Sequence, residues 1–271
     1  MAQYNKPRAK YSDRNNDVFE VIMMADKNGN IVNTASGAAN LNIAAGLLPG
    51  YSFEHIVGAV PSMAQNTSGS VWDINSTIYP WAVMNTAGTL TVTCLNGDVG
   101  SYVQIDGLDQ NWDHVSETLH LTTLSTITTK QYTRIHAIRF LNGVTANAND
   151  VTISKNGTTV AKILSGRGKT SMAQFSVPRG YTAFITKGVA SCAASADATV
   201  DMFVKYGTNM SYVSEHSFEV SGTGGQYIYD FTVPLKLPEY SDVDVRASVR
   251  SNNARITAAF DVILVANTAL A

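Results

Sequence analysis

This sequence is short of charge. Only 15% of its 271 residues are Asp, Glu, Lys or Arg, against about 25% in an ordinary soluble domain. The formal net charge of −2 argues against a generally basic nucleic-acid binder. Cysteine is nearly absent too. Cys94 and Cys192 each lie inside a strand-like run, so small buried hydrophobes are expected and a disulfide framework is not. No apolar run reaches the 18 residues of a membrane-crossing helix, and the N-terminus lacks the apolar segment of a signal peptide. Synthesis and folding in a cytoplasm are therefore expected.

Small polar residues fill the place of the missing charge: 27 Thr, 21 Asn and 20 Gly. Thr favours strands, whereas Asn and Gly favour turns, so the composition is β-rich before any pattern is read. Hydrophobic residues at 45% suffice for a full core and exclude disorder. A surface of Thr, Ser and Asn suits a protein packed against neighbours, because few charges need desolvating at its contacts.

From Asp17 onward the chain alternates short apolar runs with turn residues. Val18–Met24 leads into an Asn28-Gly29 hairpin signal, and residues 35–50 read as an irregular or short helical connection stopped by Pro49-Gly50. Strands are expected near 51–61, 69–74, 89–95, 101–107, 118–128, 132–141, 151–155 and 160–164. Further strands are expected near 172–177, 181–187, 199–206, 227–235, 243–249 and 254–265. Asn96-Gly97, Asn156-Gly157, Pro178-Arg179-Gly180 and Ser251-Asn252-Asn253 supply turns. No internal repeat argues for a solenoid or propeller. The expectation is an all-β chain: an extended basic arm over residues 1–16, then one jelly-roll-like β-sandwich over 17–271.

No catalytic motif in the sequence is complete. Ser165–Ser171 contains Gly168-Lys169-Thr170, but Ile163 stands where a phosphate-binding loop needs its first glycine, and a strand pattern follows instead of a helix. Lys169 and Thr170 are read as surface turn residues. Asp109, Asp113, His114, Glu117 and His120 would bind a metal only by converging, and the odd spacing of Glu117 and His120 sends them to opposite strand faces. His55, His136 and His216 are isolated and read as hydrogen-bonded strand residues. No activated serine or cysteine is present in a nucleophile motif, and the carboxylates nominate no glycosidase pair. Trp72 sits in an alternating Val71–Ile74 run and reads as core. The sequence supports no enzyme, metal or cofactor.

The arm is the remaining candidate. Lys6, Arg8, Lys10 and Arg14 against Asp13 give residues 1–16 a charge of +3, and Tyr4 and Tyr11 add apolar anchors. Such a segment either stays a loose terminus or orders on a partner. Four cations are few for packaging a genome, so a protein neighbour is the better partner.

The segment Gly69-Ser70-Val71-Trp72-Asp73-Ile74, followed by Tyr79-Pro80-Trp81, resembles a segment of virion structural proteins from marine tailed phages, of the cyanophage and pelagiphage podovirus type. The likeness continues in order through Val103–Asp109, Ser116–Thr118, Tyr132–Ile135, Val177–Ile185 and Phe260–Val265. It departs at Leu121-Thr122-Thr123-Leu124, where a Leu-Asn-Gly turn is expected. The resemblance implies a particle component, whether capsid, decoration or tail-attached, made in the host cytoplasm and located in the virion. Its implied partners are further copies of itself and other virion proteins, with no membrane. A jelly roll that recognises host-surface carbohydrate is the alternative, and a hydrolase acting on surface polysaccharide is a third reading.

Overall fold

A computed structural model describes residues 41–75, 77–141, 145–193, 196–221 and 225–270, together with the backbone of four short strands before residue 33. The chain divides into two compact units, Met1–Phe53 and Glu54–Ala271. In the first, β1 (Arg8–Ser12) pairs antiparallel with β2 (Val18–Ile22), setting Ser12 opposite Val18, and β3 (Met24–Ala25) pairs with β4 (Ile31–Val32). The connection expected over 35–50 contains one helical turn, α1 (41–44). The Asn28-Gly29 turn lies outside the described residues.

The second unit is built from antiparallel strands. Its outer elements are β5 (Tyr51–Met63), β6 (Thr67–Ser70), β14 (Gln174–Ser176), β15 (Tyr181–Cys192), β16 (Ala198–Lys205), β17 (Val213–Val220), β18 (Gln226–Leu237), β19 (Asp242–Val249) and β20 (Ala254–Ala266). One sheet runs β18-β15-β20-β5. The other runs β14-β19-β16-β17, with β6 also on β19. The first strand pairs with the last, the second with the next to last, and so inward to the β16–β17 hairpin. That nested order is a jelly roll, established by this chain's own hydrogen bonding.

The second strand of the roll is split. Thr67–Ser70 lies opposite Val249–Arg246, and Gln174–Ser176 continues along the same edge opposite Asp244–Asp242. Between them Val71 and Ala173 meet: the Ala173 N–H donates to Val71 O at 2.9 Å, and the Val71 N–H to Val245 O at 2.7 Å. Residues 72–172 leave and return through this gap as a second β-sandwich. It contains α2 (Trp81–Met84), β7 (Thr91–Thr93), β8 (Tyr102–Leu108), β9 (His114–His120), β10 (Ser125–Ile127), β11 (Arg134–Leu141), β12 (Val151–Lys155) and β13 (Thr158–Ile163). Its sheets run β10-β7-β12-β13 and β11-β8-β9. A final turn, α3 (Asn267–Leu270), follows β20.

Each sandwich has its own core. Alternation along β16 and β20 sends Val200, Met202, Val204, Ile256, Phe260 and Val262 inward to an aliphatic interior. The insert packs aromatic residues, among them Trp72, Tyr79, Trp81 and Tyr132, with Leu90, Ile105 and Ile153. Cys94 and Cys192 are buried free thiols.

The expected all-β jelly-roll sandwich is therefore present, with a second sandwich inside what the sequence presented as one. The strand expected over 118–128 is two strands in opposite sheets, and the chain changes sheets at Leu121–Leu124, where the family resemblance departs. Asn96–Asp98 forms a 3-10 turn rather than a hairpin. Asn156-Gly157 does turn a hairpin, with both residues at positive φ of 50° and 78°.

Candidate functional site

The two sandwiches meet through a buried polar junction. Arg134 at the start of β11 and Asp242 at the start of β19 are 3% and 1% exposed, and they form a bidentate pair at 2.7 and 2.8 Å. The Ser176 hydroxyl donates to the same carboxylate at 2.5 Å. Arg134 also donates to Met84 O and Thr133 O, at 3.0 and 2.7 Å. Its guanidinium lies 4.5 Å from the centre of the Trp112 ring. Two residues along β19, Asp244 accepts from Trp81 Nε1, Arg246 Nε and Gln174 Nε2 at 3.1, 2.7 and 3.2 Å. Two carboxylates face two guanidiniums, every charge has partners, and no free nucleophile remains. The junction is a lock.

A strained contact reinforces it. Trp112 and Tyr240 both sit at φ +65°, a conformation costly for bulky side chains, and their rings meet edge-on at 5.5 Å. Beside them Arg179 donates its N–H to Trp112 O at 2.9 Å and pairs with Asp113 at 2.7 Å. The insert's 109–113 loop is thereby clamped to the turns of the roll.

Away from this lock the sandwiches separate into a cleft of about 310 Å³. A β-bulge shapes its floor. Ile135 pairs with Gly107 and Ala137 with Asp106, leaving His136 as the extra residue. Gly107 is required there, because a Cβ would lie 2.1 Å from Arg134 O. The bulge aims His136 at the roll, where Nε2 bonds Ser176 O at 2.9 Å and the ring stacks on Phe175 at 4.9 Å. Burial, helped by His114, lowers the His136 pKa to about 3, so the imidazole is neutral. Around the mouth stand Glu54 from β5, His114 from β9, Lys169 from the returning chain, and the Arg139–Asp106 ion pair. Desolvation raises the Glu54 pKa and lowers that of Lys169.

A second carboxyl marks the crossing itself. Asp73 is 4% exposed; one oxygen accepts the Ser171 N–H at 2.6 Å and the other is buried without a partner. Burial pushes its pKa up to about 7, against the lowering by that hydrogen bond.

The structure disperses the residues that the sequence grouped as a metal candidate. Asp109 caps its own loop, accepting from Asn111 and Asp113 N–H at 2.7 and 3.1 Å. Asp113 pairs with Arg179, and Glu117 receives the Thr129 and Lys130 N–H groups at 2.9 Å each. His120 stacks on Tyr102, and His114 alone reaches the cleft. Among the described residues no three His, Cys, Asp or Glu side chains are grouped to hold a metal.

The Gly168-Lys169-Thr170 segment is not the expected turn but an extended stretch along β11: Lys169 bridges Arg139, the Phe140 N–H donates to Gly168 O at 2.8 Å and the Thr170 N–H to Ile138 O at 3.0 Å. Thr170 is a correction: it is 4% exposed, and its hydroxyl accepts the Ile138 N–H at 3.1 Å. Trp72 and Trp81 are core. Of the arm candidates, Tyr4, Lys6 and Arg14 lie outside the described residues, and Arg8, Lys10 and Tyr11 are described only as backbone in β1. Sequence reasoning missed Arg134, Asp242 and Asp244, whose only sequence signal is a charge inside an otherwise apolar strand. Among the described residues no helix is long and apolar enough to cross a membrane.

No family model and no curated protein matches the chain. Among solved structures, the top component of cowpea mosaic virus, a naturally occurring empty particle, aligns at 8% identity and TM-score 0.22, covering 65% of this chain and 80% of that one. A structure of infectious bursal disease virus Gt strain aligns at 10% identity and TM-score 0.21, covering 81% and 73%. The VP2 subviral particle of the same virus aligns at 8% identity and TM-score 0.22, covering 81% and 73%. The jelly-roll assignment rests on this chain's own strand order.

Proposed function

We propose that this chain is a non-enzymatic structural component of a tailed-phage virion, as a capsid, decoration or tail-attached protein, and that it assembles with copies of itself or docks on other virion proteins. The sequence resemblance supplies the setting. A fold alone does not fix a function, so the reading is carried by an apolar tip on the inserted sandwich. Leu95, Val99, Tyr102 and Leu124 are 57%, 39%, 46% and 47% exposed. They cluster where the Cys94 N–H bonds Leu124 O and Tyr102 pairs with His120 across β8–β9. Exposed apolar side chains gathered at one end of a sandwich support contact with a neighbouring protein. The basic arm, through Tyr4, Lys6, Arg8, Lys10, Tyr11 and Arg14, is the second contact in this reading.

Sedimentation velocity and negative-stain imaging of the purified chain, alone and with virions, test the proposal. Concentration-dependent oligomers or virion binding are expected, and Leu95→Asp with Leu124→Asp weakens them while circular dichroism stays unchanged. A strictly monomeric protein with no affinity for virion components overturns it. A second reading, host-surface carbohydrate recognition, is favoured by the unpaired polar groups of the inter-sandwich cleft.

A further inference from the structure

The side chains of Glu54, His114 and Lys169 share a cleft mouth, yet none has a hydrogen-bond or ion-pair partner among the described residues. They come from three separate elements, so only the docking of the two sandwiches brings them together. We infer that this cleft binds one neutral, polyhydroxylated unit of a saccharide, held between the Glu54 carboxylate and the Lys169 ammonium. The inference rests on the carbohydrate reading and is independent of assembly.

Elimination by charge carries it. An anion would meet Lys169 and Arg139 but would also face Glu54 and Asp106. A cation would meet the two carboxylates but would also face Lys169 and Arg139. A hydroxyl both donates and accepts, so a polyol satisfies Glu54 as acceptor and Lys169 as donor without leaving either charge opposed. Ile56, on the same face of β5 as Glu54, and Phe175 give the lining an apolar side for the C–H face of a sugar ring. At about 310 Å³ the cleft suits a single ring, the small end of ligand pockets at about 300–1,000 Å³. The tryptophans do not compete for this role: Trp72 and Trp81 are buried, and Trp112 is engaged with Arg134 and Tyr240.

The test uses the full chain and four probes, glucose, galactose, mannose and N-acetylglucosamine, with sialic acid and inorganic phosphate as charged comparators. Saturation-transfer NMR and calorimetry are expected to show millimolar binding of at least one neutral sugar. Glu54→Gln and Lys169→Met should each weaken it by about tenfold or more, the scale of a charge-assisted hydrogen bond. Circular dichroism and sedimentation should stay unchanged in both variants. No binding of any neutral probe at about 50 mM, far above a millimolar Kd, overturns the inference and leaves the assembly reading standing. Preference for phosphate or sialic acid overturns the choice of a neutral ligand. Binding retained in both variants overturns the cleft while supporting carbohydrate recognition elsewhere on the chain.

Discussion

The jelly roll and the sandwich inserted into it are both two-sheet structures, but they are held by different physics. The roll closes over alternating Val, Ala, Ile and Phe from strands such as β16 and β20, and its interior is apolar. The insert has an aromatic core and meets the roll through Arg134, Asp242, Asp244 and Arg246. Removing an apolar side chain costs its transfer energy plus a cavity, a graded penalty that nearby atoms relieve by relaxing. Removing one member of a buried ion pair leaves the other charged in a low dielectric, and nothing relieves that. The roll should therefore tolerate repacking, and the junction should tolerate almost nothing done to one partner alone.

The largest expected effect is at the junction. Arg134→Met should destabilise by about 3–5 kcal/mol, whereas adding Asp242→Leu in the same chain should recover a large part of that loss. Urea unfolding of the single and double variants checks it, and additive losses would break the contrast between the two regions. In the roll, Ile256→Ala should cost about 2–5 kcal/mol, and Ile256→Val about 0.5–1.5 kcal/mol, a gradation the junction lacks.

At the bulge, Gly107→Ala should cost roughly 1–3 kcal/mol, because its Cβ would press on the Arg134 backbone oxygen and drag the ion pair with it. Its loss should shrink when measured in the Arg134→Met, Asp242→Leu background.

The pH dependence separates the two sides of the crossing. Asp73 keeps its proton up to about pH 7 in the folded chain, against an ordinary 3.8. Its stabilisation is complete below the ordinary value and is lost as pH rises through 7. His136 is depressed to about 3 from an ordinary 6.5. Its contribution is complete above 6.5 and is lost as pH falls toward 3. Asp73→Asn should thus gain about 1–3 kcal/mol over the parent chain at pH 8, the scale of one unsatisfied buried group. His136→Gln should flatten the acid limb instead. Thermal unfolding from pH 4 to 8 distinguishes them. The smallest effect is Lys169→Ala, at an exposed side chain beside β11, which should stay within about 0.5 kcal/mol by the same measurement.

Much of the roll is legible in the sequence because a strand buried on one face must alternate. Val151–Lys155 reads out to the residue, and β16, β19 and β20 to within a residue or so. β17 was missed, because its Val-Ser-Glu-His-Ser-Phe-Glu-Val run is exposed over most of its length and carries few apolar signals. α2 was missed for its four residues, too short for helical periodicity to show. The Asp73 and Arg134 charges were plain in the sequence, but nothing local shows that they are buried.

What the sequence by itself determined is the strand class and the turns: Thr, Val and Ile alternation, Asn-Gly pairs, and apolar positions in steps of two. These depend on neighbours a few residues away. What the tertiary structure decided is which edge each strand joins: that Thr67–Ser70 and Gln174–Ser176 form two halves of one strand position, and that Arg134 reaches Asp242 across 108 positions of chain. It also decided that Glu54, His114 and Lys169 share a cleft. Those pairings are fixed by burial and charge satisfaction between distant segments, and a local pattern of residues does not encode them.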